Sequence, residues 1–155
     1  MTSWPIDELI PHRPPMRLID EVESFDAEAK RLVARVTVTD RQLFFTAGGV
    51  PNWVAIEYMA QTSAALAGCY DKFVAPEGQA RPGLLLGTRR LELHLERFEE
   101  GRTYRIIAEN EFCDSDAASF SCRIEDEDGK VVATANLNAY RPTDFKKFLK
   151  EQAWK

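Results

Sequence analysis

The 155-residue sequence has few cysteines and no excess of positive charge. Its three cysteines, Cys69, Cys113 and Cys122, are odd in number, and none has the spacing of a metal-binding pair. A disulfide framework and a metal site are therefore not expected, and a reducing cytoplasm is the favoured location. The net charge of -5 is the opposite of what binding to nucleic acid requires. We therefore expect no nucleic-acid partner.

The sequence also lacks a signal peptide and a membrane span. Its first residues have neither the basic start nor the apolar core of a signal peptide. The most apolar stretch, Trp53 to Cys69, is too short for a span and contains Glu57 and Gln61. It has no lysine or arginine, which predicts a helix that is buried nearly all round. We place this central helix at roughly Asn52 to Tyr70, with Asn52 as its N-cap.

Strand patterns lie on both sides of this helix. Leu32, Ala34, Val36 and Val38 alternate with other residues, as in a half-buried strand. Further strands are predicted at 16–25, 84–98, 102–112, 119–125 and 131–140, and an Asp-Gly step predicts a hairpin before the last strand. A short helix is expected at about 143–154. Because strands and helices do not alternate, we predict an α+β fold with a curved antiparallel sheet around one central helix, in one domain spanning 1–155.

Glu57 is the first candidate for chemistry. A lone carboxylate in a buried helix is costly unless it is paired or hydrogen-bonded, and burial suits a carboxyl group to general acid–base work. Gln61 lies one turn later on the same face and is a candidate for contact with substrate. The alternative is a structural glutamate bonded to a nearby amide or arginine.

Backbone and histidine candidates come next. Gly48, Gly49, Val50 and Trp53 lead into the helix, whose N-terminal amides can polarise a carbonyl oxygen. The alternative is an ordinary connection.

His12 lies in a rigid proline-rich segment and can act as an acid or base near neutral pH. The alternative is a loop histidine bonded to backbone.

Three arginines cluster in an otherwise acidic chain. Arg81, Arg89 and Arg90 lie close together at the start of the strand predicted after the helix. They fit an acidic partner through charge complementarity. Equally, they fit a solvated strand edge, and both interpretations stay open.

Two runs together resemble a known family. The run Leu9-Ile10-Pro11-His12-Arg13-Pro14-Pro15-Met16-Arg17-Leu18-Ile19-Asp20 and the later run Ile56-Glu57-Tyr58-Met59-Ala60-Gln61 resemble the hot-dog-fold 3-hydroxyacyl-acyl-carrier-protein dehydratases. The run Val50-Pro51-Asn52-Trp53-Val54, the segment 83–90 and the ending at 137–142 are similar to the dehydratase-like branch of bacterial aryl polyene clusters.

The resemblance implies a fold, a reaction and partners. It implies a hot-dog fold, a dimer with sites formed between subunits, and an acyl carrier protein that presents the substrate on phosphopantetheine. It implies no metal or redox cofactor. Glu57 then matches the family's catalytic carboxylate, and His12 is the candidate second group, acting across the dimer. The substrate-binding candidates are Gly48, Gly49, Val50, Trp53 and Gln61.

One departure from the family leaves alternatives open. Well-studied members carry a histidine in a Gly-His-Phe-Pro run ahead of the helix, whereas residues 42–49 of this chain contain none. Three functions therefore stay open. The chain is a dehydratase that works through Glu57, with or without His12. Alternatively, it is a non-catalytic partner of an active hot-dog subunit, or an acyl thioesterase. The partner is a second copy of the chain or a different hot-dog subunit.

Overall fold

The computed structural model describes residues 4–78, 80–114, 116–142 and 145–152. Three α-helices and a 3₁₀ turn accompany the strands: α1 (Ile6–Leu9), the 3₁₀ turn (Asn52–Val54), α2 (Ala55–Val74) and α3 (Phe145–Gln152). The strands are β1 (Glu21–Asp26), β2 (Arg31–Thr37), β3 (Gly49–Pro51), β4 (Leu84–Leu93), β5 (Arg97–Glu99), β6 (Thr103–Asp114), β7 (Ala117–Glu125) and β8 (Val131–Tyr140).

Six of the strands form one antiparallel sheet, as the sequence predicts. Their order is β1-β2-β6-β7-β8-β4, while β3 and β5 form a separate two-stranded pair. The turn at Asp126 to Lys130 joins β7 and β8, with Gly129 at a φ of 81° and the Asp126 carboxylate accepting from the Lys130 amide. This confirms the hairpin predicted from the Asp-Gly step.

The long helix α2 packs against the sheet. Its Tyr58, Met59 and Leu66 are buried, and they face core residues of the central strands such as Ile106 and Ile124. The two isoleucines lie on one face of the sheet because they are directly opposite each other in the pairing of β6 with β7. The α+β architecture with a central helix is therefore confirmed.

Several predicted boundaries differ from the structure. Helix α2 begins at Ala55 and continues to Val74, and Asn52 does not cap it. Instead, the Asn52 side chain donates a 3.0 Å hydrogen bond to the carbonyl of Leu95. That bond holds the helix entrance against the connection between β4 and β5, an interaction between distant residues that no local pattern encodes.

Two predicted strands also change. The strand expected at 16–25 begins only at Glu21, because residues 14–16 form a turn in which the Met16 amide bonds to the Arg13 carbonyl. The strand expected at 84–98 is divided into β4 and β5.

The two ends of the chain are described only in part. The predicted C-terminal helix is present as α3, while residues 143, 144, 153 and 154 of that prediction lie outside the described residues. No helix in the described part is long and apolar enough to cross a membrane. The prediction of a single domain over 1–155 stays a prediction.

Candidate active site

His12 and Glu57 come together in the folded chain. Glu57 lies in the first turn of α2, and His12 lies in the irregular segment between α1 and β1. The Nε2 atom of His12 is 3.7 Å from Oε1 of Glu57. This distance is longer than a hydrogen bond and leaves both groups able to reach a third group lying beside them. The sequence had placed His12 across a dimer, but the structure puts it beside Glu57 of the same chain.

Gln61 holds this pair in place. Its side chain is fully buried, and Nε2 donates to Oε1 of Glu57 at 2.9 Å and to the Met16 carbonyl at 2.8 Å. Its Oε1 accepts from the Leu18 amide at 2.8 Å. The amide group is thus fully used within the chain, so it orients the Glu57 carboxylate and fixes the segment that follows His12. Contact of Gln61 with substrate stays a prediction, and the geometry assigns it a positioning role.

The segment that carries His12 is also fixed from its other end. Arg13 donates from its guanidinium to the carbonyls of Asp7, Ile10 and His12. Helix α1 approaches α2 so closely that a Cβ on Gly68 would lie 2.2 Å from the Leu9 carbonyl oxygen. Only glycine permits this contact. His12 is therefore held between two attachments to α2.

Burial keeps the imidazole of His12 uncharged. Desolvation lowers the pKa of His12 below the usual 6.5, the Glu57 carboxylate opposes this by raising it, and Arg13 lowers it further. A neutral imidazole can accept a proton at neutral pH, which is what a general base requires. Its Nδ1 is buried and has no hydrogen-bond partner among the described residues. Nε2 is thus the atom that faces both Glu57 and any substrate.

Glu57 is less buried than its sequence context predicts. Every residue of α2 from Ala55 to Tyr70 is buried or partly buried, which agrees with the prediction of a helix buried nearly all round, but the Glu57 side chain is 35% exposed. The residues that share its face, Ile56, Ala60, Ala64 and Ala67, are also only partly buried. They recur at helical spacing and form an apolar strip beside the carboxylate. The reason is that the chain's own sheet covers only the opposite side of α2.

The glycines at the helix entrance have defined structural roles, so the segment is more than the ordinary connection that the sequence left as an alternative. A Cβ on Gly49 would lie 2.3 Å from the Phe98 carbonyl oxygen, so this glycine serves the pairing of β3 with β5. Gly48 has a φ of 88° and open space around it. Val50 is fully buried in the core. The role of these residues in binding substrate stays a prediction. At Gly49 and Val50 only backbone atoms could make such a contact.

Trp53 is the exposed member of the entrance. Its side chain is 56% exposed, and its ring packs edge-on against Phe44 at 5.4 Å between centroids. The Gly49 amide donates to Thr46 and the Asn52 amide to Glu96. The Trp53 amide lies in the 3₁₀ turn, where the first N–H groups of a helix have no acceptor within the helix. A contact of the Trp53 amide with a substrate carbonyl stays a prediction.

A hollow of about 230 Å³ opens beside the segment that follows His12. It is lined by Pro14, Pro15, Arg17, Leu18, Asp20, Thr37, Thr39, Arg41 and Gln42. Gln42 also accepts a 3.4 Å hydrogen bond from the Tyr58 hydroxyl. Neither His12 nor Glu57 lines this hollow, so the pair lies at the surface of the chain beside the apolar strip.

Sequence reasoning missed the backbone contacts that organise the site. The carbonyl of Met16 and the amide of Leu18 are the anchors of Gln61, and backbone groups carry no sequence signal of their own. One signal for these contacts was available in the sequence. Gln61 lies one turn after Glu57 on the buried helix, and a buried side-chain amide must find hydrogen-bond partners.

Comparison with known proteins points to dehydratases. A family model described as ApeP-like, ApeP dehydratase, matches residues 4–150. The 3-hydroxyacyl-[acyl-carrier-protein] dehydratase FabZ of Xanthomonas campestris is 41% identical over 66 residues, which are 39% of this chain and 43% of that protein. FabZ of Anaeromyxobacter dehalogenans is 42% identical over 67 residues, or 40% of this chain and 42% of that protein. The matches thus span less than half the length of these curated relatives.

Solved structures show the fold. A chain of the dehydratase heterocomplex ApeI:P from Xenorhabdus doucetiae superposes with a TM-score of 0.84 at 27% identity, over 96% of this chain and 97% of that chain. A hypothetical thioesterase with coenzyme A from Streptococcus pneumoniae superposes with a TM-score of 0.58 at 13% identity, over 79% of this chain and 84% of that chain. The second likeness shows a shared hot-dog fold alone.

Proposed function

Because the ApeP-like model spans residues 4–150, the chain belongs to the ApeP-like dehydratase family, and we propose that it dehydrates a 3-hydroxyacyl thioester carried by acyl carrier protein. The product is the 2-enoyl thioester, in fatty-acid-like or aryl polyene biosynthesis. The observation that carries the proposal is the 3.7 Å approach of His12 Nε2 to Glu57 Oε1. It supplies the two proton-transfer groups that an elimination of water needs.

In the proposed mechanism, His12 acts as the base and Glu57 as the acid. Neutral Nε2 of His12 takes the proton from the carbon next to the thioester carbonyl. The imidazolium passes this proton to the Glu57 carboxylate across the short gap between them. The carbon–carbon double bond then forms as the carbon–oxygen bond breaks, and the hydroxyl leaves as water with that proton, which restores neutral His12 and the Glu57 carboxylate. The cycle is balanced by proton transfers alone, and so we propose that it uses no redox cofactor.

The helix entrance has a matching role in this proposal. Negative charge develops on the thioester oxygen as the proton leaves, and donors aimed at that oxygen lower the barrier. The Trp53 amide and the positive end of the α2 dipole lie one turn from Glu57. The exposed Trp53 ring and the apolar strip of α2 offer a surface for the acyl chain.

The partly buried apolar strip also supports a partner subunit. An acyl chain lying beside Ile56 and Ala60 needs a second apolar wall to exclude water, and the described chain provides only one. We therefore propose that a hot-dog subunit covers this side of α2 and that acyl carrier protein delivers the substrate. A cytoplasmic location is part of the same proposal.

A second candidate is a non-catalytic subunit. The absence of the family's Gly-His run before the helix favours it, because the chain would then supply the fold and leave chemistry to its partner. The presence of His12 beside Glu57 favours the catalytic alternative.

The test is an assay of the chain with and without a hot-dog partner on 3-hydroxyacyl-carrier protein. We expect Glu57→Gln and His12→Asn each to lower the rate of enoyl formation by about 100-fold or more, the usual contribution of a general acid or base. His94→Asn removes the other histidine, which is paired with Glu92 on the sheet, and is the control.

Three outcomes separate the candidates. Full activity of Glu57→Gln in the complex contradicts catalysis by this chain and supports the non-catalytic role. Full activity of His12→Asn would show that His12 takes no part in catalysis and that Glu57 works alone. Release of free thiol in place of enoyl product identifies a thioesterase.

A further inference from the structure

The hollow beside the segment that follows His12 contains two arginines that the proposed chemistry does not use. Its volume is about 230 Å³, and Arg17 and Arg41 lie in its wall together with the neutral polar side chains of Thr39 and Gln42. Two guanidinium groups around one small space repel each other, and an anion between them is attracted by both. The composition of the wall therefore favours a negatively charged ligand.

The carboxylates near the hollow do not balance its arginines. Oδ1 of Asp7 lies 2.7 Å from Arg17 and 4.0 Å from Arg13, so one carboxylate serves two guanidinium groups. Arg41 is exposed and makes no ion pair within the described part of the chain. Asp20 is the one carboxylate among the described residues of the wall, and its Oδ2 accepts from a backbone amide of β2 at 2.8 Å. Positive charge is thus in excess here, although the whole chain has a net charge of -5.

The two arginines are held by different parts of the fold. Arg41 lies in a turn after β2, where the Gln42 amide donates to the Thr39 carbonyl at 3.2 Å. The Gln42 side chain accepts a 3.4 Å hydrogen bond from Tyr58, which connects this turn to α2. Arg17 is held by its 2.7 Å hydrogen bond to a residue of α1. The spacing of the two guanidinium groups is therefore set before a ligand arrives, which lowers the cost of binding.

The hollow lies close to the pair of His12 and Glu57. Leu18 is in its wall, and the Leu18 amide donates to Gln61, which donates in turn to Glu57 at 2.9 Å. Acyl carrier protein holds its acyl group on phosphopantetheine, an arm with a thiol at one end and a phosphate at the other. The arm is about as long as five residues of extended chain, or roughly 16 Å. A thioester beside Glu57 therefore leaves the phosphate within reach of the hollow.

We propose that this hollow binds a phosphate group through Arg17 and Arg41, and that this phosphate belongs to the phosphopantetheine arm of the substrate. Guanidinium groups match phosphate oxygens both in charge and in the geometry of their N–H donors. A phosphate bound there fixes the far end of the arm and so restricts where the thioester lies. The inference rests on the proposed function for the identity of the arm. A free phosphate ion is the other source of the same chemistry.

Two small substrates that differ only in the phosphate test this site. The dehydratase assay is run on the 3-hydroxyacyl thioesters of phosphopantetheine and of pantetheine, both free of carrier protein. We expect kcat/KM to be at least about tenfold higher for the phosphopantetheine thioester, chiefly through a lower KM, since hydrogen bonds between charged groups are strong. Arg41→Gln should reduce this ratio to about twofold or less.

Two further variants make the comparison specific. Arg17→Gln should lower the same ratio, and because Arg17 also binds Asp7, its stability is followed by urea unfolding. Lys130→Gln removes the same charge at the exposed turn between β7 and β8. We expect it to keep the ratio of the wild-type chain.

Binding is also measured without turnover. Phosphopantetheine, pantetheine and inorganic phosphate are each titrated into the chain, and the amide NMR signals of residues 39–42 are followed. We expect phosphopantetheine to shift these signals in the wild-type chain but not in Arg41→Gln. It should bind at least about tenfold more tightly than pantetheine or inorganic phosphate, because only it offers both the phosphate and the arm.

Opposite results overturn the inference. Equal kcat/KM for the two thioesters, or a loss of equal size on both in Arg41→Gln, shows that the phosphate of the arm does not bind in the hollow. Inorganic phosphate bound as tightly as phosphopantetheine identifies a site for the free ion instead. If neither thioester yields enoyl product, the proposed function fails, while the titrations still decide whether the hollow binds phosphopantetheine.

Discussion

At the scale of single residues, the site depends on one buried amide. Gln61 connects the Glu57 carboxylate to the backbone at Met16 and Leu18, and through that segment to His12. Glu57 is a third exposed, and so its orientation comes from this bond rather than from burial. The same exposure allows substrate to reach it.

The first residue-scale prediction concerns protonation. Burial lowers the pKa of His12 below 6.5, while Glu57 raises it. In an NMR titration of the two imidazole signals, we expect a midpoint for His12 below 6.5 and a still lower one in Glu57→Gln, because the neighbouring negative charge is gone. Because the chain has two histidines, the signal that remains in the variant His94→Asn belongs to His12. A midpoint that rises in Glu57→Gln contradicts the contact.

The acid limb of the activity profile follows from the same shift. The reaction requires neutral His12, and a lowered pKa keeps the imidazole neutral to more acidic pH. The rate should therefore fall only at a pH below 6.5, together with the NMR midpoint.

The second residue-scale prediction concerns Gln61. Gln61→Met keeps the volume but leaves the buried Leu18 amide without a partner, at a cost of about 1–3 kcal/mol, and it removes the donor to the carbonyl of the exposed Met16. We expect lower stability in urea unfolding and a fall in kcat that exceeds any rise in KM. Gln61→Glu keeps the acceptor for Leu18 but loses the donor to Glu57. Equal kcat in Gln61→Glu and wild type would contradict the positioning role.

At the scale of elements, helix packing places His12 beside Glu57. Helix α1 is one turn long and contributes little stability by itself. Its position comes from Ile6 and Leu9, which are buried against α2, and from the close approach of Leu9 to Gly68. The Leu9 carbonyl occupies the space that a side chain at Gly68 would need.

The element-scale prediction is that Gly68→Ala displaces α1. The added Cβ would lie 2.2 Å from a backbone oxygen that cannot rotate away. Overpacking of this kind costs about 1–3 kcal/mol, against about 1 kcal/mol gained from helix propensity. We expect net destabilisation and loss of dehydratase activity as His12 shifts. Gly87→Ala, where a Cβ meets nothing within 4 Å, is the stability control. Unchanged activity in Gly68→Ala would show that the position of α1 does not affect the site.

At the scale of the whole molecule, the sheet and the central helix are joined at both ends of α2. At the entrance, Asn52 bonds to the connection before β5. At the far end, Arg141, which follows β8, makes two hydrogen bonds to the Asp71 carboxylate at 2.6 and 2.9 Å. Both side chains are about three-quarters buried. The helix is thereby fixed in register along the sheet, which sets where Glu57 lies.

The whole-molecule prediction is a coupling between Asp71 and Arg141. A double-mutant cycle with Asp71→Asn and Arg141→Gln, measured by urea unfolding, should give a coupling energy of about 1 kcal/mol, since two-point arginine–carboxylate pairs exceed ordinary surface pairs. Partial burial should preserve most of this coupling at high salt. Additive single-variant effects would show that the pair does not fix the helix.

The sequence by itself determined the α+β class, the central helix and most strand positions, and it proposed Glu57 as the marker of the site. These features follow from the period of apolar residues and from one carboxylate among them, which are local properties. The family also followed from two local runs, 9–20 and 56–61, and the match over 4–150 confirms it.

Only the tertiary structure decided that His12 reaches Glu57 within one chain, that Gln61 fixes both, and that one face of α2 is only partly buried. Each depends on how segments far apart in sequence dock, through a glycine that admits a carbonyl and an amide that finds backbone partners. Such contacts are set by the packing of whole elements, so no local pattern contains them.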